Sequence, residues 1–264
     1  MEGEARRDDI LELLRRQGTV RVGELSARYG VAAVTIHRDL STLADHGLIE
    51  RVRGGARALP EANEPVITDW SQRLEVDVQA KDEIARLARA EIEDGSTIFI
   101  DGSSTGFAVA RALERDPPRS LTLVTNSPAI AYLSHLDHVH IVVAPGDVDQ
   151  SIRAIKGTWT IEFIKGLSFS TAFLSAVGVT GEAGMVTTRR ELAEVCAAAM
   201  ARAARVVGLV AASKFDQPGL VTVAQPEDLD EIITDAGMPA EVAERYRRWG
   251  FPITIAPSTW ESLA

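Results

Sequence analysis

Apolar residues spaced three or four positions apart divide the first fifty residues into three short helices. The first is predicted over about residues 6–17 and the third over about 33–46, with a shorter helix that ends at Gly30 between them. The apolar positions that define the three helices are Ile10, Leu13, Leu14, Val22, Leu25, Tyr29, Ile36, Leu40 and Leu43. Residues 48–53 then alternate between apolar and polar side chains, which predicts a strand that leads into a pair of glycines. Three helices followed by a small hairpin indicate a winged helix-turn-helix.

The pattern changes after residue 96, where apolar strand-like runs alternate with helical stretches such as Phe107–Leu113 and Glu191–Ala203. The predicted strands are Thr97–Ile100, Leu121–Thr125, Val139–Ala144, Ala172–Val177, Val206–Ala211, Glu231–Thr234 and Ile253–Ala256. This alternation is typical of an α/β domain in which helices cover a largely parallel sheet. Residues 58–80 contain two prolines and mixed charge without clear periodicity. We therefore expect a winged helix-turn-helix domain over residues 1–57, a linker over 58–80 and an α/β domain over 81–264.

The third predicted helix carries a polar face opposite its apolar stripe. At about 100° per residue, Leu40 and Leu43 share the side of Ile36, and Arg38 falls on the opposite side. The residues on that face and at its flanks are Val34, Thr35, His37, Arg38, Ser41 and Thr42. An arginine can bridge guanine O6 and N7, hydroxyl groups can reach bases or phosphates, and a small apolar group can contact a thymine methyl. The angles alone are equally compatible with an ordinary solvated helix face.

Three turns that follow predicted strands carry polar residues. The residues in these turns with suitable chemistry are Asp101, Gly102, Ser103, Ser104, Thr105, Asn126 and Lys214. In the first turn, a glycine, several hydroxyl groups and the start of a helix can surround an anion. Because ligands in open α/β sheets bind beyond the carboxyl ends of the strands, these residues are candidates for binding a phosphate or sugar group. Taken singly, each turn is as consistent with helix capping or, for the lysine, with a solvated side chain.

Composition narrows the possible functions. The net charge of −10 is unevenly distributed: residues 1–57 hold ten Arg and nine acidic residues, a net of +1, and the remainder holds 18 basic and 29 acidic residues, a net of −11. An acidic chain argues against indiscriminate nucleic-acid binding but is compatible with a small DNA-binding domain. The lone Cys196 excludes an internal disulfide and fits a reducing compartment. Because the charged N-terminus shows no secretory signal and no stretch is typical of a membrane span, we expect a cytoplasmic protein.

The N-terminal segment resembles the DNA-binding domain of DeoR-type transcriptional regulators. The resemblance rests on residues 31–40 (VAAVTIHRDL) and 51–56 (RVRGGA), and it implies that Arg51 and Arg53 contact DNA together with the polar face of the third helix. The family usually has Arg-Arg where this chain has His37-Arg38, so the resemblance does not define the operator sequence.

The larger segment, over roughly residues 70–237, is similar to the sensor domain of the same family. The matching motifs are Asp101–Thr105, Val124–Ser127, Ser213–Phe215 and Ile233–Asp235. The resemblance implies a fold similar to ribose-5-phosphate isomerase and a sensor for a phosphorylated sugar or related metabolite. It also implies a repressor without catalytic activity, metal or cofactor, which binds double-stranded operator DNA as a homodimer or homotetramer.

Two other interpretations remain open. The first is a sugar-phosphate isomerase or deaminase with a DNA-binding appendage, in which Asp147 and Asp149 supply the general base. The second is a sensor that has lost its ligand and serves only for assembly, because the family's Asp-His pair is replaced by Ala211-Ala212. A third possibility, a metal site on the histidines, is set aside because they have no acidic or cysteine partner. These histidines are His135, His138 and His140.

Overall fold

A computed structural model gives the fold of most of the chain. The described residues are 6–7, 9–10, 13–14, 19–45, 49–52, 54–57, 70–133 and 138–258. The chain divides into two compact units, Met1–Pro65 and Val66–Ala264. The domain boundaries at residues 57 and 80 stay a prediction. The described part of the predicted linker, residues 70–80, is largely helical and belongs to the second unit.

The first unit, Met1–Pro65, is called the front unit below, and it is a winged helix-turn-helix, as the apolar spacing predicts. Its described elements are α1 (helical residues 6–7, 9–10 and 13–14), β1 (Thr19–Arg21), α2 (Val22–Tyr29), α3 (Ala33–Asp45), β2 (Glu50–Val52) and β3 (Gly55–Arg57). The strands form an antiparallel sheet in the order β1-β3-β2. The sequence pattern did not predict β1, because three residues are too few to show an alternation.

The apolar residues that define the predicted helices form one core. Leu13 and Tyr29 are partly buried in it, and the other members are buried. The second helix ends at Gly30, whose φ of 65° lies in the left-handed region that glycine adopts at helix ends. Gly55 packs so tightly against β1 that a Cβ would lie 2.0 Å from the carbonyl oxygen of Val20. A glycine is therefore required at this position of β3, where the strand pairs with β1.

A buried ion pair joins α1 to α3. Arg6 donates through Nε to Asp39 Oδ2 at 2.7 Å and through Nη2 to Oδ1 at 3.3 Å. The two side chains are 9% and 5% exposed. The hydrogen bond to Asp39 raises the pKa of the Arg6 guanidinium above its ordinary value. Arg7, which is 31% exposed, lies 3.6 Å from the same carboxylate. The pair holds the inner side of α3 against the core and leaves the opposite side exposed.

The second unit is an α/β domain. Its helices are α4 (Trp70–Glu75), α5 (Val78–Ala90), α6 (Ser104–Arg115), α7 (Pro128–Ala131), α8 (Thr158–Lys165), α9 (Arg190–Met200) and α10 (Ala240–Arg248). Its strands are β4 (Ser96–Ile100), β5 (Leu121–Thr125), β6 (Val139–Val143), β7 (Asp147–Asp149), β8 (Ala154–Lys156), β9 (Phe169–Ser175), β10 (Gly178–Thr180), β11 (Gly184–Thr187), β12 (Ala203–Leu209), β13 (Val221–Ala224), β14 (Glu231–Thr234) and β15 (Ile253–Ile255). Among the described residues, no helix has both the length and the apolar character that a membrane crossing requires.

Seven strands form one sheet, in the order β15-β14-β12-β9-β4-β5-β6, and every neighbouring pair is parallel. These are the seven strands that the apolar runs predict. The remaining strands are short: β10, β11 and β13 form an antiparallel sheet, and β7 and β8 form a hairpin. The sequence analysis did not predict these five short strands, which show no apolar run as clear as those of the seven strands in the large sheet.

Helices cover both faces of the large sheet. One face packs against α8, α9 and α10, and the other packs against α5, α6 and α7. The strand order reverses at β4, because β5 and β6 follow it on one side and β9 follows on the other. The carboxyl ends of β4 and β9 therefore flank the topological switch point, where open α/β sheets bind their ligands.

Candidate functional site

A cavity of about 80 Å³ lies at the switch point of the second unit. It is bordered by the segments that follow β4, β5 and β9, by the residues leading into α9, and by the β7–β8 hairpin. The predicted ligand-binding residues that the cavity brings together are Asp101, Gly102, Ser103 and Asn126. The hairpin packs closely here, since a Cβ on Gly102 would lie 2.8 Å from the Cβ of Ala154.

Asp101 connects the two strands that flank the switch point. Its Oδ1 accepts a hydrogen bond from the Ser103 amide at 3.1 Å, and its Oδ2 accepts one from the Ser175 amide at 2.8 Å. Burial raises the pKa of Asp101 above its ordinary value, although these hydrogen bonds and the charge of Arg73 act to lower it. The remaining lone pairs can accept from a ligand hydroxyl, whereas a carboxylate would repel a phosphate.

The first turn of α6 presents backbone N–H groups beside the cavity. Ser103 caps the helix, because its Oγ accepts from the Gly106 amide at 2.9 Å. In the part of the chain that the structure describes, the N–H groups of Gly102, Ser104 and Thr105 have no hydrogen-bond partner. Unpaired N–H groups at the positive end of a helix attract an anion. The side chains of Ser104 and Thr105 are buried in this turn and do not border the cavity.

Asn126 has a buried polar atom without a partner. Its Nδ2 donates to the carbonyl oxygen of Ile155 at 2.8 Å, which fixes the orientation of the amide. Its side-chain oxygen, Oδ1, has no hydrogen-bond partner among the described residues, and the residue is 2% exposed. Buried acceptors are costly unless they are paired. The Asn126 oxygen at the cavity wall is therefore suited to accept a hydrogen bond from a ligand hydroxyl.

Two arginines that the sequence analysis did not single out also border the cavity. Trp70 is buried edge-to-face against Phe107 at 5.7 Å, and Arg73 lies one turn further along α4. Arg189 is the N-cap residue of α9. Burial lowers the pKa of Arg73; the charge of Asp101 opposes this effect, and the like charge of Arg189 adds to it. Two guanidinium groups at one cavity favour an anionic ligand.

Ion pairs hold the β7–β8 hairpin beside the cavity. Asp149 Oδ2 lies 2.9 Å from Nη1 of Arg189 and 3.4 Å from Nζ of Lys156, and Arg189 Nη2 donates to Ser151 Oγ at 3.0 Å. Burial would raise the pKa of Asp149, but the hydrogen bonds from Ser151 and Lys156 and the charge of Arg189 outweigh it and lower the pKa. Arg189 is thus shared between the hairpin and the cavity.

Lys214 does not border this cavity. It lies on a short 3-10 turn after β12, which is separated from β4 by β9. Burial lowers the pKa of the neighbouring Lys81 to about 8, and the like charges of Arg73 and Lys214 contribute to this shift. Lys81 Nζ donates to the carbonyl oxygens of Arg73, at 2.5 Å, and of Val76, so it holds the end of α4. A contact between Lys214 and a ligand stays a prediction.

The polar face of α3 is exposed in the front unit. Val34 is 74% exposed, and Arg38 has no hydrogen bond or ion pair from its side chain within the described residues. The exposed residues of this face are Val34, His37, Arg38 and Ser41, and its half-buried residues are Thr35 and Thr42. The hydroxyl of Thr42 donates to the carbonyl oxygen of Arg38 at 3.0 Å, so its proton is already engaged. The face predicted from the helical angles is confirmed as exposed, and its contact with DNA stays a prediction.

Arg51 reaches from β2 to α3. Its Nη1 donates to the carbonyl oxygen of His37 at 3.0 Å and to Ser41 Oγ at 3.1 Å, and its Nη2 lies 3.0 Å from His37 Nδ1. A guanidinium only donates, so Nδ1 of His37 is the acceptor in this contact. The three predicted residues Arg51, His37 and Ser41 therefore form one cluster on the exposed side of α3. Arg53, the fourth basic candidate, lies outside the described residues.

Of the acids and histidines of the other interpretations, none that the structure describes borders the cavity. Asp147 is exposed, and neither Asp147 nor Asp149 borders it. His135 lies outside the described residues. Within the described ranges, no three His, Cys, Asp or Glu residues are grouped so that they could hold a metal ion.

Comparison with known proteins identifies both units. Residues 76–236 match the family model of the DeoR C-terminal sensor domain, and residues 6–62 match that of the DeoR-like helix-turn-helix domain. The glycerol-3-phosphate regulon repressor of Escherichia coli K12 is 31% identical over 92% of this chain and 95% of its own length. A putative aga operon transcriptional repressor of Escherichia coli O157:H7 is 27% identical over 95% of this chain and 93% of its own length.

Among solved structures, ribose-5-phosphate isomerase A of Methanocaldococcus jannaschii matches at a TM-score of 0.38 and 17% identity. The match covers 52% of this chain and 54% of the isomerase. A similarity this distant carries no argument about ligand or activity.

Proposed function

Because this chain belongs to the DeoR family of transcriptional regulators, we propose that it is a repressor that binds operator DNA and responds to a phosphorylated sugar or related metabolite. The two relatives described above are both named as repressors, and one name includes a phosphorylated metabolite. The observation that carries the ligand class is the pair Arg73 and Arg189 at the switch point, beside the N–H groups at the start of α6 that have no partner among the described residues.

The polar groups of the cavity suit the two parts of such a ligand. The guanidinium groups and the N-terminal turn of α6 would bind the phosphate, because both favour an anion. Asp101 and Asn126 offer acceptor oxygens, which would bind the hydroxyl groups of the sugar. Phosphate and hydroxyl recognition would therefore come from different residues of one cavity.

Ligand binding would displace the β7–β8 hairpin. The cavity of about 80 Å³ is smaller than the roughly 300–1,000 Å³ typical of small-molecule sites, so a sugar phosphate needs additional space. The Asp149 carboxylate already forms an ion pair with Arg189, and a phosphate would compete with this carboxylate for the same guanidinium. We expect this exchange of partners to be the structural change that the ligand causes in the sensor.

On the DNA side, α3 would read the major groove with Arg38 and Val34, while Arg51, His37 and Ser41 would contact the adjacent backbone. An operator with repeated half-sites needs two or more such helices, so the active form would be a homodimer or homotetramer. A ligand that favours one spacing of the two helices would then alter operator affinity.

Replacing Arg38 with alanine should weaken specific operator binding by about 1–3 kcal/mol, which is roughly 5- to 150-fold in Kd. The expectation follows from the exposed position of Arg38 on α3, where its side chain has no partner among the described residues. Fluorescence anisotropy with a labelled operator duplex and a scrambled duplex measures the change and its specificity.

Arg38→Lys is the matched control, because it keeps the charge and loses the bidentate geometry. If Arg38 reads a base, the lysine variant loses discrimination between the two duplexes while its non-specific binding is retained. Unchanged discrimination in both variants would remove Arg38 from the reading face.

A further inference from the structure

β6 is an edge strand of the large sheet, and among the described residues it pairs only with β5. β6 pairs with β5 on one side only, and the bonds to β5 involve alternate residues, as shown by the carbonyl of His138 and the amide of Ala144. The intervening residues Val139, Ile141 and Val143 therefore direct their N–H and C=O groups away from the sheet. Within the described residues, none of these six groups has a hydrogen-bond partner.

This edge lacks the features that normally prevent strand pairing. β6, with the sequence VHIVV, contains no Lys, Arg, Asp, Glu, Gly or Pro, and four of its five residues are only partly buried. At the opposite edge, by contrast, Arg247 donates through Nε and Nη2 to the carbonyl oxygen of Ile253 in β15, at 3.3 and 3.0 Å. One edge of the sheet is thus covered by a charged side chain, whereas no other described residue pairs with the outward groups of β6.

The β6 edge is complementary to a second copy of itself. In an antiparallel pair centred on Ile141, Val139 of each copy lies opposite Val143 of the other, and all six outward groups of each strand are paired. His140 then lies opposite Val142 of the second copy, so no like charges face each other. Moving the centre by one residue would place Pro145, which has no N–H, or a residue outside β6 opposite an outward group.

Exposed aromatic residues flank the edge on both faces of the sheet. Tyr132, which is 87% exposed, directly follows α7 on one face. On the other face, Thr160 of α8 donates to the carbonyl oxygen of Pro145, just beyond β6, and its neighbour Trp159 is 71% exposed. Exposed Trp and Tyr beside an open strand are typical of the residues found in protein–protein interfaces.

We propose that two copies of this chain dimerise through β6, in antiparallel register centred on Ile141, and join their sheets into one. The proposal deepens the homo-oligomer of the proposed function by naming its interface. Tyr132 and Trp159 would pack against the second copy on either side of the paired strands.

A disulfide across the two-fold axis tests the register in the full-length chain. In the proposed pair the Cα atoms of the two Ile141 residues lie about 5.5 Å apart, which a disulfide can span. The Cα atoms of the two Val143 residues lie more than about 13 Å apart. Oxidation with diamide should therefore cross-link Ile141→Cys into a covalent dimer and leave Val143→Cys monomeric on a denaturing gel. The native Cys196 is buried, so it does not compete.

A second variant tests the backbone hydrogen bonds. Ile141→Pro removes an N–H that does not pair with β5, so the fold should persist while two bonds across the two-fold are lost. We expect the dimer Kd from sedimentation equilibrium to rise about 5- to 150-fold, with a retained far-UV circular dichroism spectrum.

Cross-linking of Ile141→Cys alone, together with the weaker proline dimer, would support the interface. Equal cross-linking of both cysteine variants, or none with Ile141→Cys, would overturn it. An unchanged dimer Kd for folded Ile141→Pro would overturn it as well. A wild type that is oligomeric and binds operator, but whose Ile141→Cys variant does not cross-link, would contradict this interface and leave the proposed repressor function standing.

Discussion

Replacing Arg189 with alanine is expected to weaken binding of a phosphorylated sugar by about 2–5 kcal/mol, or roughly 30- to 5,000-fold in Kd. Arg189 borders the cavity at the N-terminus of α9, where it would form a charge-assisted hydrogen bond to the phosphate. Isothermal titration calorimetry with a panel of phosphorylated sugars, their unphosphorylated counterparts and inorganic phosphate measures the loss.

Arg190→Ala is the matched control for this prediction. Arg190 is the next residue, but its side chain is 81% exposed and pairs with Glu194 on the surface of α9. Its replacement removes the same charge from the same region and should leave the ligand Kd unchanged. Equal losses in both variants would mean that overall charge, not the cavity, governs binding.

Replacing Asp39 with alanine is expected to destabilise the front unit by about 3–5 kcal/mol, because it leaves the buried Arg6 guanidinium without its carboxylate partner. Hydrogen exchange of α3 peptides in the full chain should accelerate by roughly 150- to 5,000-fold, up to the limit set by global unfolding. Operator binding should fall with it, since the exposed face of α3 depends on the position of the helix.

Arg7→Ala provides the comparison for Asp39→Ala. Arg7 approaches the same carboxylate at 3.6 Å but is 31% exposed, so its contribution should not exceed about 1 kcal/mol. If both variants change the exchange of α3 by the same small amount, the Arg6–Asp39 pair does not hold the helix.

The central sheet and the exposed face of α3 could be predicted from the sequence because each rests on a local pattern of apolar residues. A buried parallel strand is a continuous apolar run, and the position of Arg38 opposite Ile36 follows from the angle of an α-helix. Both are local properties of the sequence, so they can be predicted without knowledge of the tertiary fold.

The arginines of the cavity could not be predicted in this way. Arg73 lies in a segment without periodicity and reaches the cavity because Trp70 docks α4 against α6. For Arg189, the polar run Thr187-Thr188-Arg189 between an apolar strand and a helix was an available signal. Conversely, the end of β12 resembles the other strand ends, but the strand order places Lys214 beyond β9.

Operator affinity, measured with and without a phosphorylated sugar, tests whether the cavity of the second unit controls DNA binding. Fluorescence anisotropy of a labelled operator duplex is followed for the wild type and for Arg189→Ala while phosphorylated sugars are added one at a time. We predict that at least one of them changes the operator Kd of the wild type by tenfold or more, on the order of 1.4 kcal/mol, and leaves that of Arg189→Ala unchanged. An operator Kd that responds to the same compound equally in both proteins would contradict the proposed site.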